Sequence, residues 1–275
     1  MKEAFQFSLN RMSAPRMAFR DFVALCQRLD INVIEIRNDL DGMEIKDGTP
    51  ASEIRASTAS AGLTIRSINA LQRFDQFDAE RKAEAIALSC YAAACGAEAL
   101  VFCPTNDRRD RRTASDRHAD LVAALKSLKP ILEDHGLLGL IEPLGFEECA
   151  LRRKSDAVKA MYDSGCERHF RLVHDTFHHH LSGEDIFFPD LTGLVHISGV
   201  EDRNLPANQM RDGHRVLVGE GDKLGNIRQM KTLLERGYTG CFSFEPFAAE
   251  IAVATDIEGR LQASMAFIRS SLALS

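Results

Sequence analysis

Residues 172–184 read LVHDTFHHHLSGE, a short apolar run that leads into a carboxylate and then into three histidines. The apolar residues 170–173 predict a buried strand, and Asp175 stands where that strand would end. The histidines at 178–180 follow closely. A carboxylate oxygen beside neutral imidazole nitrogens is a ligand set that divalent metals favour. The alternative for this stretch alone is a turn whose histidines face solvent, so the rest of the chain has to decide between the two.

Seven further apolar runs are typical of strands, and stretches with helical spacing separate them. This alternation, with each strand buried on both sides, is typical of a closed barrel. The sequence therefore predicts an α/β fold, a single (β/α)8 TIM barrel. The predicted strands are residues 4–9, 31–36, 63–70, 99–103, 137–142, 170–173, 194–197 and 241–244, and the predicted helices are residues 17–29, 50–62, 78–95, 111–135, 155–162, 184–190, 226–236 and 256–272.

A doubly wound open sheet is the competing architecture. Such a sheet usually carries a glycine-rich phosphate turn after its first strand. Here the first strand is followed by NRMSAPR at residues 10–16, which contains no glycine. No linker rich in glycine, serine or proline divides the chain, so we expect one TIM-barrel domain over residues 1–275.

Composition narrows the classes of partner. Hydrophobic residues make up 45% of the chain and charged residues 27%, as in ordinary globular proteins. The net charge of −6 argues against a nucleic-acid partner. No apolar window is long enough to cross a bilayer, so we expect no membrane partner. The seven cysteines form no CxxC pair and the first residues lack the pattern of a signal peptide, which predicts a reducing, cytoplasmic location.

The active site of a TIM barrel lies at the carboxyl ends of its strands, so the residues there are the candidates for chemistry. Four ligand-competent residues end successive strands five to eight: Glu142, Asp175, His196 and Glu245. Three carboxylates held together repel one another unless a cation neutralises them. The pattern predicts one divalent metal ion of the Mn²⁺, Mg²⁺, Co²⁺ or Zn²⁺ type. The alternative is that each acid pairs separately with an arginine.

Other residues near these ends have weaker signals. Asn69 ends the third strand and is a candidate for lining the substrate pocket. Glu35 and Arg37, at the end of the second strand, are candidates for hydrogen bonds to a polyol. His174 precedes Asp175 in its strand, so its side chain is expected to point away from the ligands and to be structural.

Seven motifs along the chain identify a family resemblance. They are IEIRND (34–39), SINAL (67–71), IEPLGFEECAL (141–151), HDTFHHH (174–180), VHISGVED (195–202), GEGD (219–222) and SFEPF (243–247). With these motifs the sequence resembles the sugar isomerase and epimerase superfamily of xylose isomerase-like TIM barrels, and most closely the inosose (2-keto-myo-inositol) isomerases of myo-inositol catabolism. The resemblance extends over nearly the whole chain.

The resemblance implies roles for particular residues. It places the family's metal ligands on the same four residues that the strand ends indicate. It implies that His178, in the D-x-x-H pattern, binds a substrate oxygen, and that Arg203 and Arg215 contact the substrate. The chain departs from the family at Val218, where a proline is common, and in the loop at residues 202–219. Because that loop borders the substrate, the departure concerns which substrate is bound.

The implied activity is isomerisation of a polyhydroxy ketone. A divalent metal would act as Lewis acid, and the two catalytic residues, Glu142 and Glu245, would move a proton through a metal-stabilised enediolate. Inosose is the implied substrate. A hydride shift between the two carbons would use the same metal, and the sequence leaves both routes open.

Other activities stay open at this point. A ketose 3-epimerase or hydroxypyruvate isomerase would use the same ligands with different pocket loops. An inosose dehydratase-like lyase would expel a hydroxyl group from the same intermediate. An endonuclease IV-like nuclease would need more histidines at the barrel mouth and a basic surface, and an inactive binding protein would have no need of the full ligand set. A homo-oligomer is common in the family, but no residue pattern here demonstrates one.

Overall fold

The chain forms a closed barrel of eight parallel strands in the order β1 to β8, so the predicted TIM-barrel fold is confirmed. The structure, a computed structural model, describes residues 5–273. Residues 6–9 of β1 pair with residues 241–244 of β8, which closes the barrel. Ala4, the predicted start of the first strand, lies outside the described residues. The strands are β1 Gln6–Asn10, β2 Val33–Arg37, β3 Thr64–Gln72, β4 Ala99–Cys103, β5 Leu138–Ile141, β6 Phe170–Asp175, β7 Thr192–Ile197 and β8 Cys241–Phe244.

Helices surround the barrel in the alternating order that the sequence predicted. Within residues 5–273, none of them is both long enough and apolar enough to cross a membrane. Short 3₁₀ turns occupy parts of the connecting loops. The helices are α1 Phe19–Arg28, α2 Ala51–Ser60, α3 Ala79–Cys95, α4 Ala114–His135, α5 Lys154–Ser164, α6 Thr176–Ser182, α7 Asn226–Glu235, α8 Ala249–Ala252 and α9 Ile257–Ala273.

One predicted helix is wrong. The helix expected over residues 184–190 is absent, and α6 instead follows β6 directly, with only the 3₁₀ turn Pro189–Leu191 before β7. The helix begins earlier because Asp175 caps it. Asp175 Oδ1 accepts hydrogen bonds from the backbone N–H groups of Phe177 at 2.7 Å and His178 at 3.0 Å. A carboxylate that satisfies these first N–H groups starts a helix. The strand that carries a candidate ligand therefore also caps the helix that carries His178.

The interior of the barrel changes from apolar to polar along β5, β6 and β7. Leu140, Val173 and Leu194 are buried in one small inner cluster. Each precedes a candidate ligand by two residues, and residues two apart on a strand face the same side of the sheet. The candidate ligands therefore lie on the inner face of the barrel, above an apolar layer.

Candidate active site and metal centre

The structure brings together the four residues that the sequence predicted as metal ligands. Glu142 follows β5, Asp175 ends β6, His196 lies on β7 and Glu245 follows β8. One ligand atom from each lies within 4.8 Å of the others, and all four side chains are buried. Parallel strands that end at one edge of the barrel produce this convergence.

His196 is the centre of the cluster. Its Nδ1 lies 2.9 Å from Glu142 Oε1, 3.2 Å from Glu245 Oε2 and 3.9 Å from Asp175 Oδ2. Its Nε2 faces the other way and lies 3.1 Å from Glu35 Oε1. Burial alone would lower the pKa of this imidazole, but Glu245, Glu35 and Glu142 raise it well above its usual value. The ring is therefore surrounded by negative charge on both edges.

Two arginines neutralise part of this charge. Arg215 donates from Nη2 to Asp175 Oδ2 at 2.7 Å and to Glu245 Oε2 at 2.9 Å. Arg37 donates to Glu245 Oε1 at 2.9 Å, and Asn10 donates to the same oxygen at 3.2 Å. Burial raises the pKa of Glu245, but His196, Arg215 and Arg37 outweigh burial and hold that pKa below its usual range. Asp175 and Glu245 are therefore paired with arginines, as the alternative to a metal site required. The pairs are not separate, however, because both acids share Arg215.

The donor set fits a divalent cation. Donor atoms no more than 4.8 Å apart span about twice a metal–oxygen bond of ~2.0–2.2 Å. Three carboxylate oxygens and one imidazole nitrogen are a mixed set that suits Zn²⁺, Mn²⁺ or Co²⁺, and the carboxylates also suit Mg²⁺. With Glu35 included, the centre holds four carboxylates and only two arginines, so negative charge is in excess of the arginine charge. The residues therefore fit one divalent ion, whose identity they leave open.

His178 lies beside the cluster on the first turn of α6. It is buried, and its Nδ1 has no hydrogen-bond partner among the described residues. Its ring packs edge-on against Phe146 and Phe177, with centroids 5.1 and 5.2 Å away. With Asp175 it lines a small cavity. A buried imidazole nitrogen without a partner is available to a ligand.

The three other residues predicted to bind substrate lie in different surroundings. Arg215 contacts the carboxylates described above. Asn69 donates from Nδ2 to Glu35 Oε2 at 2.7 Å and to Ser67 Oγ at 3.1 Å. Arg203 is exposed in the loop after β7. The substrate roles of all four residues stay predictions.

The loop between β7 and α7 is closed at its base. Gly199 and Val216 exchange backbone hydrogen bonds of 2.8 and 2.9 Å. Arg215 is next to this pair, and its carbonyl oxygen accepts from the backbone N–H groups of Phe247 and Ala248. The backbone that carries Arg215 is therefore fixed, whereas Arg203 lies out on the rim.

Two residues near the centre have roles that the sequence did not indicate. Glu35 contacts His196, and the available signal was a carboxylate inside the β-branched run VIEIR of β2. Cys103 donates its Sγ–H to Glu142 Oε2 at 3.4 Å. Burial, and next Glu142, raise the pKa of this thiol well above its usual value, so it stays protonated. No local pattern identifies Cys103.

A second polar cluster lies on the outer side of β6. His174 accepts at Nδ1 from Lys154 Nζ at 2.7 Å, and its Nε2 is 2.9 Å from Gln229 Oε1. Lys154 Nζ also lies 5.1 Å from the ring centre of Phe187. Burial lowers the pKa of Lys154 to about 7, and Glu184 opposes this only in part. His174 points away from Asp175, as the alternation along the strand predicted.

Comparisons with known proteins identify a family and several structural relatives. A sequence profile described as xylose isomerase-like TIM barrel matches residues 23–271. A xylose isomerase domain-containing protein of Salmonella typhimurium is 32% identical, with a TM-score of 0.90 over 97% of this chain and 98% of that chain. Among proteins with curated functions, none matches the sequence.

Two more distant solved structures share the fold. The IOLI protein with a bound zinc atom is 19% identical, with a TM-score of 0.85 over 98% of this chain and 99% of that chain. D-psicose 3-epimerase of Clostridium cellulolyticum, solved with D-tagatose, is 16% identical, with a TM-score of 0.73 over 98% of this chain and 99% of that chain. At these identities the likeness shows a common barrel.

Proposed function

The chain belongs to the xylose isomerase-like TIM barrel family, and from that premise we propose that it isomerises or epimerises a polyhydroxy ketone with a divalent metal ion. Membership in this family confirms the prediction of an enzyme. The observation that carries the proposal is the buried cluster of Glu142, Asp175, His196 and Glu245, whose donor atoms converge within 4.8 Å. The zinc of the IOLI protein and the ketose in the epimerase structure support it.

The metal would be held by those four side chains. When bound, a divalent ion supplies a Lewis acid for the substrate's carbonyl oxygen, which acidifies the neighbouring C–H bond. Asp175 and His196 act only as ligands in this scheme. Asp175 is fixed for that role because its Oδ1 is already bound to the backbone of α6, which leaves Oδ2 directed at the cluster.

Glu142 and Glu245 carry the proton. They extend from β5 and β8 on either side of β6 and β7, so a substrate above the centre meets one carboxylate on each flank. One carboxylate removes the proton next to the carbonyl group, and the other returns a proton to the product. His196, Arg215 and Arg37 lower the pKa of Glu245, so its carboxylate is ionised, which is the form that a general base requires.

His178 and Arg215 would orient the substrate. His178 has a buried Nδ1 without a partner among the described residues, so a substrate hydroxyl group can bind there without breaking an existing bond. Arg215 lies against two of the ligands and is fixed by its backbone. A cation at this position stabilises negative charge on the substrate oxygens during proton transfer.

Inosose is the finer proposal for the substrate. The motifs of residues 141–151 and 174–180 support it, together with the common fold of the IOLI protein. The second candidate is a ketose 3-epimerase, which the structure of the D-tagatose complex favours. Both reactions begin by removing a proton next to a carbonyl group, so the same centre serves either.

The test is a substrate panel on protein that has been stripped of metal and reloaded with Mn²⁺, Mg²⁺, Co²⁺ or Zn²⁺. Inosose, D-tagatose and D-fructose would be incubated in D2O, and NMR would follow new isomers and uptake of deuterium. We expect about one ion per chain and conversion that stops on chelation. Loss of water from inosose would instead identify a dehydratase.

The matched variants are Glu245→Gln and Glu235→Gln, the second on an exposed glutamate at the end of α7. Glu245→Gln should abolish conversion, and Glu235→Gln should leave it unchanged. Protein that binds no divalent ion after loading, or that converts its substrate equally well with chelator, would show that the proposal is wrong.

A further inference from the structure

Glu35 is the most heavily hydrogen-bonded carboxylate in the barrel interior. It lies on β2 and is fully buried. Its Oε2 accepts from Ser67 Oγ at 2.6 Å and from Asn69 Nδ2 at 2.7 Å, and its Oε1 accepts from Ser243 Oγ. His196 Nε2 lies 3.1 and 3.2 Å from its two oxygens. Four donors from β3, β7 and β8 thus converge on one side chain.

The charge around Glu35 differs from the charge around the candidate ligands. Within residues 5–273, the charged side chain that pairs with Glu35 is His196 alone. Asp175 and Glu245, in contrast, are each bound to an arginine. Three neutral donors fix where the Glu35 carboxylate points, and the remaining direction is towards the imidazole. Glu35 therefore acts on the centre through His196.

The orientation of His196 shows what this contact does. The ring nitrogen next to Glu35 is Nε2, and Nδ1 faces Glu142 and Glu245. A neutral imidazole carries its proton on one nitrogen and offers the other as ligand. A carboxylate at Nε2 holds the proton there, which leaves Nδ1 free for a metal ion.

We infer that Glu35 is a positioning residue that fixes His196 with its proton on Nε2, so that Nδ1 is the atom presented to the metal. Ser67, Asn69 and Ser243 form the cradle that holds Glu35 in place. This inference rests on the proposed function only in requiring that the cluster binds a metal ion. It gives Asn69 a role towards Glu35 that differs from the substrate contact predicted from the sequence.

The expected effect of removing Glu35 follows from the two tautomers. Without a carboxylate at Nε2, the proton is free to occupy Nδ1, where it would point at Glu142 and block the ligand atom. Outer partners of metal-binding histidines are worth about 10–100-fold in metal affinity. In Glu35→Gln, the side chain keeps its shape but loses one acceptor and gains a donor, so Nε2 is no longer the preferred site of the proton.

The experiment measures Zn²⁺ affinity and the tautomer of His196 in the same full-length protein. Competition with a fluorescent chelator gives the dissociation constant. Long-range ¹H–¹⁵N NMR of the histidine-labelled, metal-free protein, at a pH at which the ring is neutral, shows which ring nitrogen carries the proton. We expect the wild type to have the proton on Nε2. Glu35→Gln should bind Zn²⁺ about 10–100-fold more weakly and should lose the uniform Nε2–H signal.

The control for damage to the fold is Glu44→Gln. Glu44 is also a buried carboxylate, but it pairs with Arg11 away from His196. This variant should retain the Zn²⁺ affinity and the tautomer of the wild type, whatever it does to stability. Ser243→Ala is a milder variant that removes one cradle donor, and we expect it to weaken Zn²⁺ binding by a smaller factor in the same direction.

Neither readout depends on the substrate, so the two proposals can fail separately. If no sugar is converted but Glu35→Gln still shifts the affinity and the tautomer, the positioning role stands and the proposed function is wrong. A folded Glu35→Gln that binds Zn²⁺ as tightly as the wild type, or with His196 still protonated on Nε2, overturns the positioning role. A wild type that binds no Zn²⁺ overturns it as well.

Discussion

His174 and His196 are both fully buried and lie on neighbouring strands, but they face opposite charges. His196, inside the barrel, is surrounded by glutamates that raise its pKa well above the usual value despite burial. His174, outside the barrel, has its pKa lowered well below the usual value by burial and then by Lys154. The charged form of the ring is therefore favoured at His196, and the neutral form at His174.

The difference shows how a buried polar cluster that binds a ligand can be distinguished from one whose hydrogen bonds are complete within the protein. Around His174, each nitrogen has one partner, so the hydrogen bonding is complete within the protein. Around His196, carboxylates outnumber cations, and several donor atoms converge on one point. Burying charges costs stability unless they are neutralised. A buried cluster with excess charge and convergent donors is built for a ligand, whereas a completed hydrogen-bond chain is a way of packing polar groups.

The largest expected effect is the difference between His196→Gln and His174→Gln. His196→Gln removes a candidate metal ligand, so we expect turnover to fall by about 10³-fold, the loss of several kcal/mol of transition-state stabilisation. His174→Gln should retain metal content and turnover within a small factor, because its ring points out of the barrel. Steady-state kinetics and metal analysis on both variants measure the contrast. Equal losses in the two variants would remove the distinction between the clusters.

A variant of Arg215 tests whether the cluster of candidate ligands carries excess negative charge. Arg215→Met leaves Asp175 and Glu245 without their shared cation, and we expect the metal-free protein to lose about 3–5 kcal/mol of unfolding free energy. A divalent ion replaces the missing charge, so the stabilisation by Mn²⁺ should be larger in the variant than in the wild type. Thermal unfolding with chelator and with Mn²⁺ measures both effects.

The control for that experiment is Arg28→Met. Arg28 forms an exposed ion pair with Glu258 on the surface, where such pairs contribute less than about 1 kcal/mol. Its response to Mn²⁺ should equal that of the wild type. If Arg215→Met unfolds at the temperature of the wild type under chelation, the ion pairs around the centre carry no stability.

A variant of Lys154 tests the outer cluster around His174. Here we expect removal of the charged side chain to raise the free energy of unfolding, whereas removal of Arg215 lowers it. Its pKa is about 7 in the folded protein and is near its ordinary value of 10.5 in the unfolded chain. Between these pH values the unfolded state binds more protons, so the free energy of unfolding rises with pH, and the cost of burying the amine is greatest below pH 7. Lys154→Met removes that cost. We expect it to stabilise the protein by about 1–3 kcal/mol at pH 7, even after the loss of the hydrogen bond to His174.

Denaturant unfolding between pH 7 and pH 10 gives the slope. The wild type should gain stability over this interval, and the advantage of Lys154→Met should shrink towards pH 10. Lys159→Met, on the exposed side of the same helix, should follow the wild-type slope. Parallel slopes for Lys154→Met and the wild type would mean that Lys154 does not titrate in this range.

The smallest expected effect concerns the thiol beside Glu142. Cys103→Ala removes the Sγ–H donor to Glu142 Oε2, a weak hydrogen bond worth about 0.5–1 kcal/mol. We expect a change in turnover of about two- to fivefold. Cys103→Ser keeps a donor at the same position and should stay closer to the wild type. If Cys103→Ala lowers turnover as strongly as Glu142→Gln, the thiol takes part in the chemistry directly.

The predictable parts of the molecule are those that depend on local sequence. Apolar runs indicated the strands, and alternation along a strand predicted that Asp175 and His174 point in opposite directions. Because the carboxyl ends of barrel strands meet, the convergence of Glu142, Asp175, His196 and Glu245 followed from their positions alone. The short helix α6 was missed because its start depends on one side-chain cap and its sequence, TFHHHLS, has little helical character.

The contacts across the barrel could not be predicted in the same way. Glu35 on β2 reaches His196 on β7, and Arg37 reaches Glu245 after β8. These pairs depend on the closure of the barrel and on the relative shift of its strands, which no short stretch encodes. Lys154 joins His174 from a helix for the same reason. Sequence reasoning therefore identified the candidate ligands but not the residues that orient and balance them.

The closed base of the loop after β7 has a consequence for how this protein can diverge. Gly199 and Val216 tie the two ends of the loop together, and Arg215 is anchored beside them through Phe247 and Ala248. Loops closed in this way accept changes of length and sequence at small entropic cost. The exposed part of the loop, which includes Arg203, can therefore change in length and sequence while the Arg215 guanidinium stays beside the carboxylates. A different loop sequence can therefore present different side chains at the rim, while the candidate metal ligands below it stay unchanged.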